Sequence, residues 1–176
     1  MPIVKRFLVA PVAALAALSV LLTPTHAPTR AWATSASIAA GRKHITINLR
    51  RERLRAWDGH KVVFSTPVTT GDRYLPTPTG HFTVYAKFSP YTMISPWPQG
   101  DYRWYPPSRM SFAMEFQRGY FIHDAPWRSV YGKGSNGGTQ PGTNYGGSHG
   151  CVNVPYNAER FLYFWAPIGT PVHVVP

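Results

Sequence analysis

The sequence contains one cysteine and few acidic residues, and both shortages limit what the protein can be. Its 176 residues include 7 Asp and Glu against 18 Lys and Arg, which gives a net charge of +11. A single cysteine forms no internal disulfide and cannot supply a zinc site built from several cysteines. A disulfide-stabilised scaffold is therefore excluded. The 18 prolines and 15 glycines are scattered along the chain, which excludes a long coiled coil.

The composition still allows a hydrophobic core in a single domain. Apolar residues make up 44% of the chain and aromatic residues 14%, a level that disordered proteins do not reach. A length of 176 residues fits one ordinary domain and leaves little for a second. We therefore expect one folded domain, preceded by a segment of different composition.

The N-terminal segment has the pattern of a secretory signal peptide. Two basic residues precede an apolar stretch at 7–22, and Ala31-Trp32-Ala33 has the small-x-small pattern that signal peptidases accept. Because that stretch is shorter than the about 20 residues that span a bilayer, a retained N-terminal anchor is the alternative. We predict an exported protein of the cell wall or extracellular space, with a signal peptide at 1–33, a linker at 34–43 and one domain at 44–176.

The excess of positive charge remains after the signal peptide is subtracted. Residues 34–176 contain 15 basic and 7 acidic side chains, which gives a net charge of +8. A positive surface binds the phosphates of nucleic acids, but the basic residues at 42–55 are typical of a solvated strand face. For an exported protein the acidic cell envelope is the natural anionic target. We therefore predict no nucleic-acid partner, and a membrane contact only if the anchor is retained.

Apolar residues alternate with polar ones along much of the domain, which predicts a mainly β fold. Asp58-Gly59 lies between two such runs and is typical of a tight hairpin turn. The Pro-rich stretch at 89–108 is predicted to be irregular. Strands are predicted at 45–49, 54–57, 61–68, 81–88, 112–116, 120–123 and 172–175.

One helix and one long loop are predicted between the later strands. Ala158, Phe161, Leu162 and Trp165 follow the spacing of one helix face, and a proline suits the first turn, so a packed helix is predicted at 155–165. Residues 131–147 include 7 glycines in 17 positions. This density predicts a mobile loop without a core of its own.

The lone cysteine lies in a polar turn between that loop and that helix. Cys151 follows His149 and Gly150 within the sequence Ser-His-Gly-Cys-Val-Asn. A thiol attacks carbonyl groups as the thiolate, and its pKa falls beside an imidazole or at a helix N-terminus. Both are predicted near Cys151, which favours a role as nucleophile.

His123 is the candidate general base for this thiol. It ends a predicted strand, where a side chain is held rigidly. A cysteine with a histidine base is typical of acyl transferases and hydrolases that form a thioester. Gly150 lets the backbone approach a carbonyl closely, and we expect the N–H groups of Gly150 and Cys151 to hold the developing oxyanion.

Other interpretations of these residues stay open at the level of sequence. A lone cysteine is often a small buried apolar residue, and in an exported protein it can also form an intermolecular disulfide. Neither interpretation explains its place in a polar turn flanked by glycine. His123, His149 and Cys151 would form a three-ligand zinc site, but the His-x-Cys spacing suits that geometry poorly, so no metal is predicted.

Three segments together resemble the L,D-transpeptidases, the family with the YkuD-type catalytic domain. Ser148-His149-Gly150-Cys151-Val152-Asn153 resembles the family signature, in which Ser or Thr precedes His-Gly-Cys. His123-Asp124-Ala125-Pro126-Trp127 resembles the upstream histidine motif, and Thr77-Pro78-Thr79-Gly80 resembles its Thr-Pro-x-Gly segment. The three segments occur in the family's order, and the resemblance covers roughly residues 45–175, essentially the whole mature chain.

The resemblance implies a β-sandwich-like catalytic domain with a Gly-rich loop before the cysteine and one packed helix after it. It also implies a reaction in cell-wall biogenesis, with peptidoglycan stem peptides as donor and acceptor. Cys151 attacks the carbonyl of the third stem residue, and the terminal D-alanine leaves. The thioester then passes to an amine of a neighbouring stem, which gives a 3→3 cross-link. Carbapenem-type β-lactams are implied as covalent inhibitors, and no cofactor is implied.

The resemblance also assigns roles to single residues. It implies that His123 is the base, that the main-chain carbonyl of Asp124 orients its ring, and that His149 and Gly150 belong to the oxyanion-binding segment. The implied substrate-binding residues are Ser148, Asn153, Arg118, Gly119, Trp127 and Tyr105, with Tyr102 as an alternative to Tyr105.

Two other functions remain compatible with the sequence. An L,D-carboxypeptidase passes the same thioester to water, and nothing in the sequence separates an acceptor amine from water. A catalytically silent wall-binding β-domain uses its surface alone, but the presence of both Cys151 and His123 argues against it.

Overall fold

The computed structural model describes residues 42–138 and 146–176. The predicted signal peptide and nearly all of the predicted linker lie outside the described residues, so these boundaries stay predictions. Among the described residues, no helix is long and apolar enough to cross a membrane.

Three β-sheets form most of the described structure. The first contains β1 (Lys43–Asn48), β2 (Arg53–Asp58), β3 (Lys61–Pro67), β4 (Gly80–Thr83) and β11 (Pro171–Val175), in the order β3-β2-β1-β11-β4. The second contains β5 (Ala86–Phe88), β8 (Ala113–Gln117), β9 (Tyr120–Asp124) and β10 (Val152–Val154), in the order β10-β9-β8-β5. A two-stranded sheet pairs β6 (Tyr91–Met93) with β7 (Ser108–Met110). The prediction of a mainly β domain is confirmed.

The core forms where the two larger sheets and the helix pack together. Alternate residues of β1, β2 and β11 are buried, as expected for strands with one face against a core. They pack with the buried side chains of β8, β9 and β10 in one cluster. Its fully buried members include Ile45, Ile47, Leu54, Met114, Ile122, Val152, Leu162 and Val172.

The predicted strand at 81–88 is two strands. β4 pairs with β11 in the first sheet, whereas β5 pairs with β8 in the second. Between them the chain crosses from one sheet to the other at Val84, whose N–H donates to Thr170 O (2.9 Å). The alternation continues through the crossing because Val84 is fully buried, so the pattern gave no sign of the break.

The Pro-rich stretch 89–108 is only partly irregular, contrary to the prediction. β6 lies near its start and β7 begins at its end, and the two strands pair antiparallel through Tyr91↔Met110 and Met93↔Ser108. Strands of three residues are too short for an alternating pattern to be recognised. The paired ends turn the remainder of the stretch into a closed loop, which forms one wall of the cavity described below.

The predicted helix is present as α1 (Tyr156–Trp165). Its buried face consists of Ala158, Glu159 and Leu162, whereas Phe161 is 37% exposed. The apolar spacing therefore predicted the helix correctly, and two of the four residues on the predicted face, Ala158 and Leu162, are buried, whereas Trp165 is half-buried. Glu159 is fully buried, and neither oxygen of its carboxyl group has a hydrogen-bond partner within the described residues. Burial raises its pKa well above the ordinary value, against a smaller lowering effect of Lys87, which favours the neutral carboxylic acid.

The described parts of the Gly-rich loop are anchored, although a mobile loop without a core was predicted. Gly132 N–H donates to Val68 O (2.9 Å), and Ser135 is buried with its hydroxyl 2.6 Å from that of Thr69. Asn136 Nδ2 donates to the carboxylate of Glu52 (3.0 Å). Polar contacts thus replace the apolar core that the composition cannot supply.

Candidate active site

The predicted nucleophile and the predicted base line one cavity of about 500 Å³. Its floor includes His123 and Asn153 from the second sheet, and Cys151, which directly precedes that sheet's strand β10. Its walls come from the Pro-rich stretch and from Trp127. Because 27 residues separate Cys151 from His123 in the sequence, their meeting depends on the fold.

A parallel strand pair brings the two residues together. β10 lies beside β9 with Val152 opposite Ile122 and Asn153 opposite His123. Cys151 immediately precedes β10, so its side chain emerges next to the strand that carries His123. The thiol lies 3.9 Å from Gly119 O, at the turn between β8 and β9.

The tautomer of His123 follows from its hydrogen bond. Nδ1 lies 2.8 Å from the main-chain carbonyl of Asp124. A carbonyl only accepts, so Nδ1 carries the proton and Nε2 holds a free lone pair in the neutral ring. Burial lowers the pKa of His123, against the smaller raising effect of Asp124. The imidazole is therefore neutral near pH 7 and able to take a proton at Nε2.

The carboxylate of Asp124 has a separate task. Its Oδ1 accepts hydrogen bonds from the N–H groups of Ser111 (2.8 Å) and Phe112 (2.7 Å). These contacts fix the end of β9 to the segment that precedes β8. The carbonyl that holds the His123 ring is thereby held in place as well.

The thiol of Cys151 does not have the lowered pKa that the sequence analysis expected. It is 7% exposed and packs with Met110, Ala113 and Phe121, and burial raises its pKa to about 11. The N–H group of Phe121 lowers it only in part. The helix does not help, because β10 separates Cys151 from the start of α1. In the unliganded protein the pair is a neutral thiol and a neutral imidazole.

A tight turn precedes the cysteine and requires glycine at position 150. Gly150 has φ +108, and a Cβ there would lie 2.5 Å from the ring of Tyr120. Its N–H donates to Ser148 Oγ (3.0 Å), which in turn donates to Cys151 O. The N–H of Gly150 is therefore hydrogen-bonded to Ser148, whereas the sequence analysis predicted that it would be free to bind an oxyanion. The hydroxyl of Ser148 is likewise used to close the turn.

A second segment, 69–77, holds this turn from the other side. Thr77 Oγ1 accepts from Gly71 N–H (2.9 Å) and donates to Gly150 O (2.8 Å). Thr69 and Asn153 exchange two main-chain hydrogen bonds of 2.9 and 2.8 Å. The Thr-Pro-x-Gly segment of the sequence thus contributes a hydroxyl that positions the cysteine turn.

Aromatic rings form the wall nearest the cysteine turn. The ring of His149 lies 5.0 Å from that of Tyr105 and 6.2 Å from that of Trp97, between centroids. Burial lowers the pKa of His149 and raises that of Tyr105 to about 12, so both side chains are neutral near pH 7. Tyr105 lines the cavity, whereas Tyr102 is 73% exposed and does not.

The remaining predicted site residues divide into two groups. Asn153, Gly119 and Trp127 line the cavity, and the ring of Trp127 lies 5.9 Å from that of His123. Arg118 is exposed and does not line it, so the structure does not bring that predicted substrate-binding residue to the site.

Several cavity residues were not singled out from the sequence. Trp97, Trp104, Arg109 and Met93 line the cavity and all lie on the Pro-rich stretch or the strands that close it. The one available signal was the density of tryptophan in a stretch otherwise rich in proline. A large aromatic side chain in a loop often marks a binding surface.

The sequence matches one family model, described as the YkuD L,D-transpeptidase catalytic domain, over residues 42–174. A comparison with curated proteins found no match.

Solved structures with the same fold are L,D-transpeptidases. A crystal structure of a mutant Enterococcus faecium L,D-transpeptidase has 26% identity and a TM-score of 0.63, and covers 76% of this chain and 50% of that one. The catalytic domain of the E. faecium enzyme acylated by ertapenem has 27% identity and a TM-score of 0.59, and covers 76% and 97%. An L,D-transpeptidase from Mycobacterium smegmatis, at 24% identity, a TM-score of 0.63 and coverage of 77% and 59%, shares the fold. The chain thus spans between half and three fifths of the two longer structures.

Proposed function

Because the chain belongs to the L,D-transpeptidase family with the YkuD catalytic domain, we propose that it is an exported peptidoglycan L,D-transpeptidase that forms 3→3 cross-links. The observation that carries the proposal is that Cys151, directly before β10, and His123, on the neighbouring strand β9, line one cavity. Stem peptides are the proposed donor and acceptor.

Acylation starts from the neutral pair. As the sulfur of Cys151 attacks the carbonyl carbon of the third stem residue, His123 Nε2 takes the thiol proton. The imidazolium then returns that proton to the nitrogen of the departing D-alanine. The carbon–nitrogen bond breaks, D-alanine leaves as a neutral amine, and a thioester to Cys151 remains.

Transfer repeats the same steps with a second amine. The amine of a neighbouring stem attacks the thioester carbonyl, and Nε2 accepts the proton that this nitrogen loses. The carbon–sulfur bond breaks, and the thiolate recovers the proton from the imidazolium. The products are the 3→3 cross-linked dimer and the free enzyme.

Asn153 is the proposed contact for a main-chain N–H group of the donor. Its Oδ1 is buried and has no hydrogen-bond partner within the described residues. An unpaired buried acceptor costs free energy, so a donor from the substrate is favoured at that point. Tyr105, Trp97 and Trp127 supply apolar surface on either side, on which the uncharged parts of the stem can pack.

Carbapenems test the thiol without any need for peptidoglycan. The acylation of the E. faecium catalytic domain by ertapenem supports the same reaction here, with Cys151 opening the β-lactam ring. We expect one ertapenem adduct per chain by intact mass spectrometry, and none in Cys151→Ala. Arg118→Gln, outside the cavity, is the matched control and should acylate like the wild type. A wild-type chain that takes no adduct would favour the silent wall-binding domain.

The acceptor is identified by muropeptide analysis with a purified tetrapeptide donor. Cross-linked dimers are expected if an amine resolves the thioester. Tripeptide as the sole product identifies an L,D-carboxypeptidase and overturns the transpeptidase proposal. If a chain that reacts with ertapenem forms neither cross-linked dimers nor tripeptide, the assignment of this donor is wrong.

A further inference from the structure

The outer face of the five-stranded sheet carries a continuous set of polar, cationic and aromatic side chains. Strand register puts Ser65, Arg55, Thr46, His173 and His81 side by side across all five strands. None of these five side chains is buried. On one side of this row His44 lies opposite Trp57, and on its other side Asn48 lies opposite Arg53. We call this surface the outer face.

Three histidines form the centre of the outer face. The rings of His81 and His173 are 4.5 Å apart, and those of His44 and His173 are 5.7 Å apart, between centroids. Trp57 stacks on His44 at 5.6 Å with the two planes 4° apart. The Nε1 of Trp57 donates to Thr46 Oγ1 (2.9 Å), which fixes the ring against the sheet. The result is a rigid cluster of rings rather than a set of mobile surface side chains.

The outer face has no acidic residue to balance its charge. Asp58 is the one carboxylate in the five strands, and it pairs with Arg42 at 3.1 Å. Lys43 does not contribute its charge to the outer face, since its Nζ donates a hydrogen bond to Trp165 O (2.9 Å). Within the described ranges, no group of three or more His, Cys, Asp or Glu side chains has the arrangement of a metal site. The chemistry of the surface therefore fits an anion better than a cation.

The outer face lies away from the proposed catalytic cavity. The inward residues of the same strands, such as Ile45, Leu54 and Val172, are fully buried against the second sheet. That second sheet carries His123, and the residues that line the cavity include none from the five outer strands. A polymer on the outer face thus leaves the cavity accessible.

We propose that the outer face is a second binding site, for the free carboxylates of peptidoglycan stem peptides, that holds the enzyme on the polymer it modifies. This inference rests on the proposed function for its choice of ligand. Arg55 and Arg53 supply permanent charge, the histidines supply charge when protonated, and Trp57 supplies an aromatic surface of the kind that packs against sugar rings.

The histidines make the binding sensitive to pH. Burial lowers the pKa of His173, and the neighbouring His81 and His44 lower it further. A bound carboxylate offsets the repulsion among the imidazolium groups, so proton uptake and ligand binding favour one another. The other charged groups on or beside this face are Arg53, Arg55 and Asp58, which pairs with Arg42. Because the pKa of His173 is lowered from its ordinary value of 6.5, we expect binding to strengthen as the pH falls below that value.

The test is cosedimentation with insoluble peptidoglycan from which phosphate polymers have been removed by hydrofluoric acid. It uses the chain carrying Cys151→Ala, so that no turnover alters the polymer. Adding Arg55→Gln and His173→Gln should weaken binding about fivefold, as expected for the loss of two exposed charge contacts. The matched control is Arg160→Gln with His60→Gln, which removes the same groups from exposed positions outside the outer face and should bind like the parent.

Each further result supports or overturns the proposal. Amidation of the stem carboxylates should abolish the difference between the two variants, because it removes the ligand. Equal weakening by both variants would indicate a nonspecific charge effect and overturn the site. Binding that requires untreated, phosphate-containing wall would assign the surface to another polymer. Ertapenem acylation of the same two variants with Cys151 restored verifies their folding and tests the catalytic proposal separately.

Discussion

At the residue scale, the reactive pair is kept neutral by burial. Cys151 is among apolar side chains, which raises the pKa of its thiol, and His123 is buried beside it, which lowers the pKa of its imidazole. Desolvation opposes charge on both groups, so a thiolate–imidazolium pair is disfavoured before substrate binds. Such a thiol is poorly nucleophilic toward small reagents and depends on the histidine at the moment of attack.

This neutral pair predicts a characteristic pH profile for acylation. The rate of ertapenem adduct formation should fall only at a pH below the ordinary histidine pKa of 6.5, because burial lowers the pKa of His123, and it should stay flat from about pH 7 to about pH 9. The flat region is expected because the thiol ionises only near pH 11. Adduct formation followed by mass spectrometry gives the profile. A rate that declines between pH 7 and 9 would instead indicate a preformed ion pair.

Gly150 provides a test of the cysteine turn. Gly150→Ala forces an alanine into φ +108 and against the ring of Tyr120, so we expect a loss of about 2 to 4 kcal/mol in the free energy of unfolding and a marked loss of acylation. Gly100→Ala is the matched control, since Gly100 has φ +99 with nothing within 4 Å of the added Cβ. Urea unfolding of both variants separates the ring contact from the backbone strain. Equal losses would mean that the contact with Tyr120 contributes nothing.

At the scale of helices and strands, features encoded by neighbouring residues were predicted correctly, whereas pairings between distant strands were missed. The hairpin at Asp58-Gly59 was predictable because its pattern lies within a few residues, and Gly59 has φ +60 as that turn requires. β10 was missed because three residues show no alternation, and because 27 residues separate it from its partner β9. The pairing of β6 with β7 was missed because each strand has only three residues, and the crossing at Val84 was missed because the alternation continues through it.

At the candidate site, too, features encoded by neighbouring residues were predicted, and features that depend on distant residues were not. Cys151, His123 and the residues beside them were identified because the chemistry and the family motifs are local in sequence. The engaged N–H of Gly150 and the raised pKa of the thiol depend on side chains that reach the site from elsewhere, such as Met110 and Tyr120. No pattern in the sequence encodes that packing.

The turn between β1 and β2 anchors the Gly-rich loop through a buried carboxyl group. Glu52 is 1% exposed, and its carboxylate accepts from Thr70 N–H (2.6 Å) and Asn136 Nδ2 (3.0 Å). Burial raises the pKa of Glu52 to about 7, despite the opposing effects of its hydrogen bonds and Arg128. The folded protein therefore holds this proton more tightly than the unfolded chain does.

The raised pKa predicts how stability changes with pH. The stabilisation that comes from the raised pKa of Glu52 is fully present below the pKa of glutamate in the unfolded chain. It is lost as the pH rises through about 7, which lowers the free energy of unfolding by up to about 3 kcal/mol. Glu52→Gln cannot titrate, so its melting temperature should fall less than that of the wild type between about pH 5 and about pH 7. Thermal unfolding followed by circular dichroism compares the two proteins. Parallel curves would show that Glu52 is not protonated in this range.

At the scale of the whole molecule, export is the property that the proposal most requires. We expect the exported protein to begin near Thr34, because the small-x-small pattern ends at Ala33. Intact mass spectrometry of protein secreted by a bacterial host measures the cut directly, with Ala31→Arg and Ala33→Arg together as a variant that blocks it. A full-length chain recovered from the membrane fraction would indicate the retained anchor instead.

The arrangement of the first sheet has a consequence for how the protein folds during synthesis. Its order places β11 between β1 and β4, so the strand that comes latest among the described residues fills an interior position of the sheet and not its edge. A chain synthesised from its N-terminus cannot complete this sheet until residues 171–175 have been made. Premature termination anywhere before them leaves two unpaired strand edges facing each other across a gap. Folding of the domain therefore requires the chain through residues 171–175, and truncated chains lack the packing that positions Cys151 and His123.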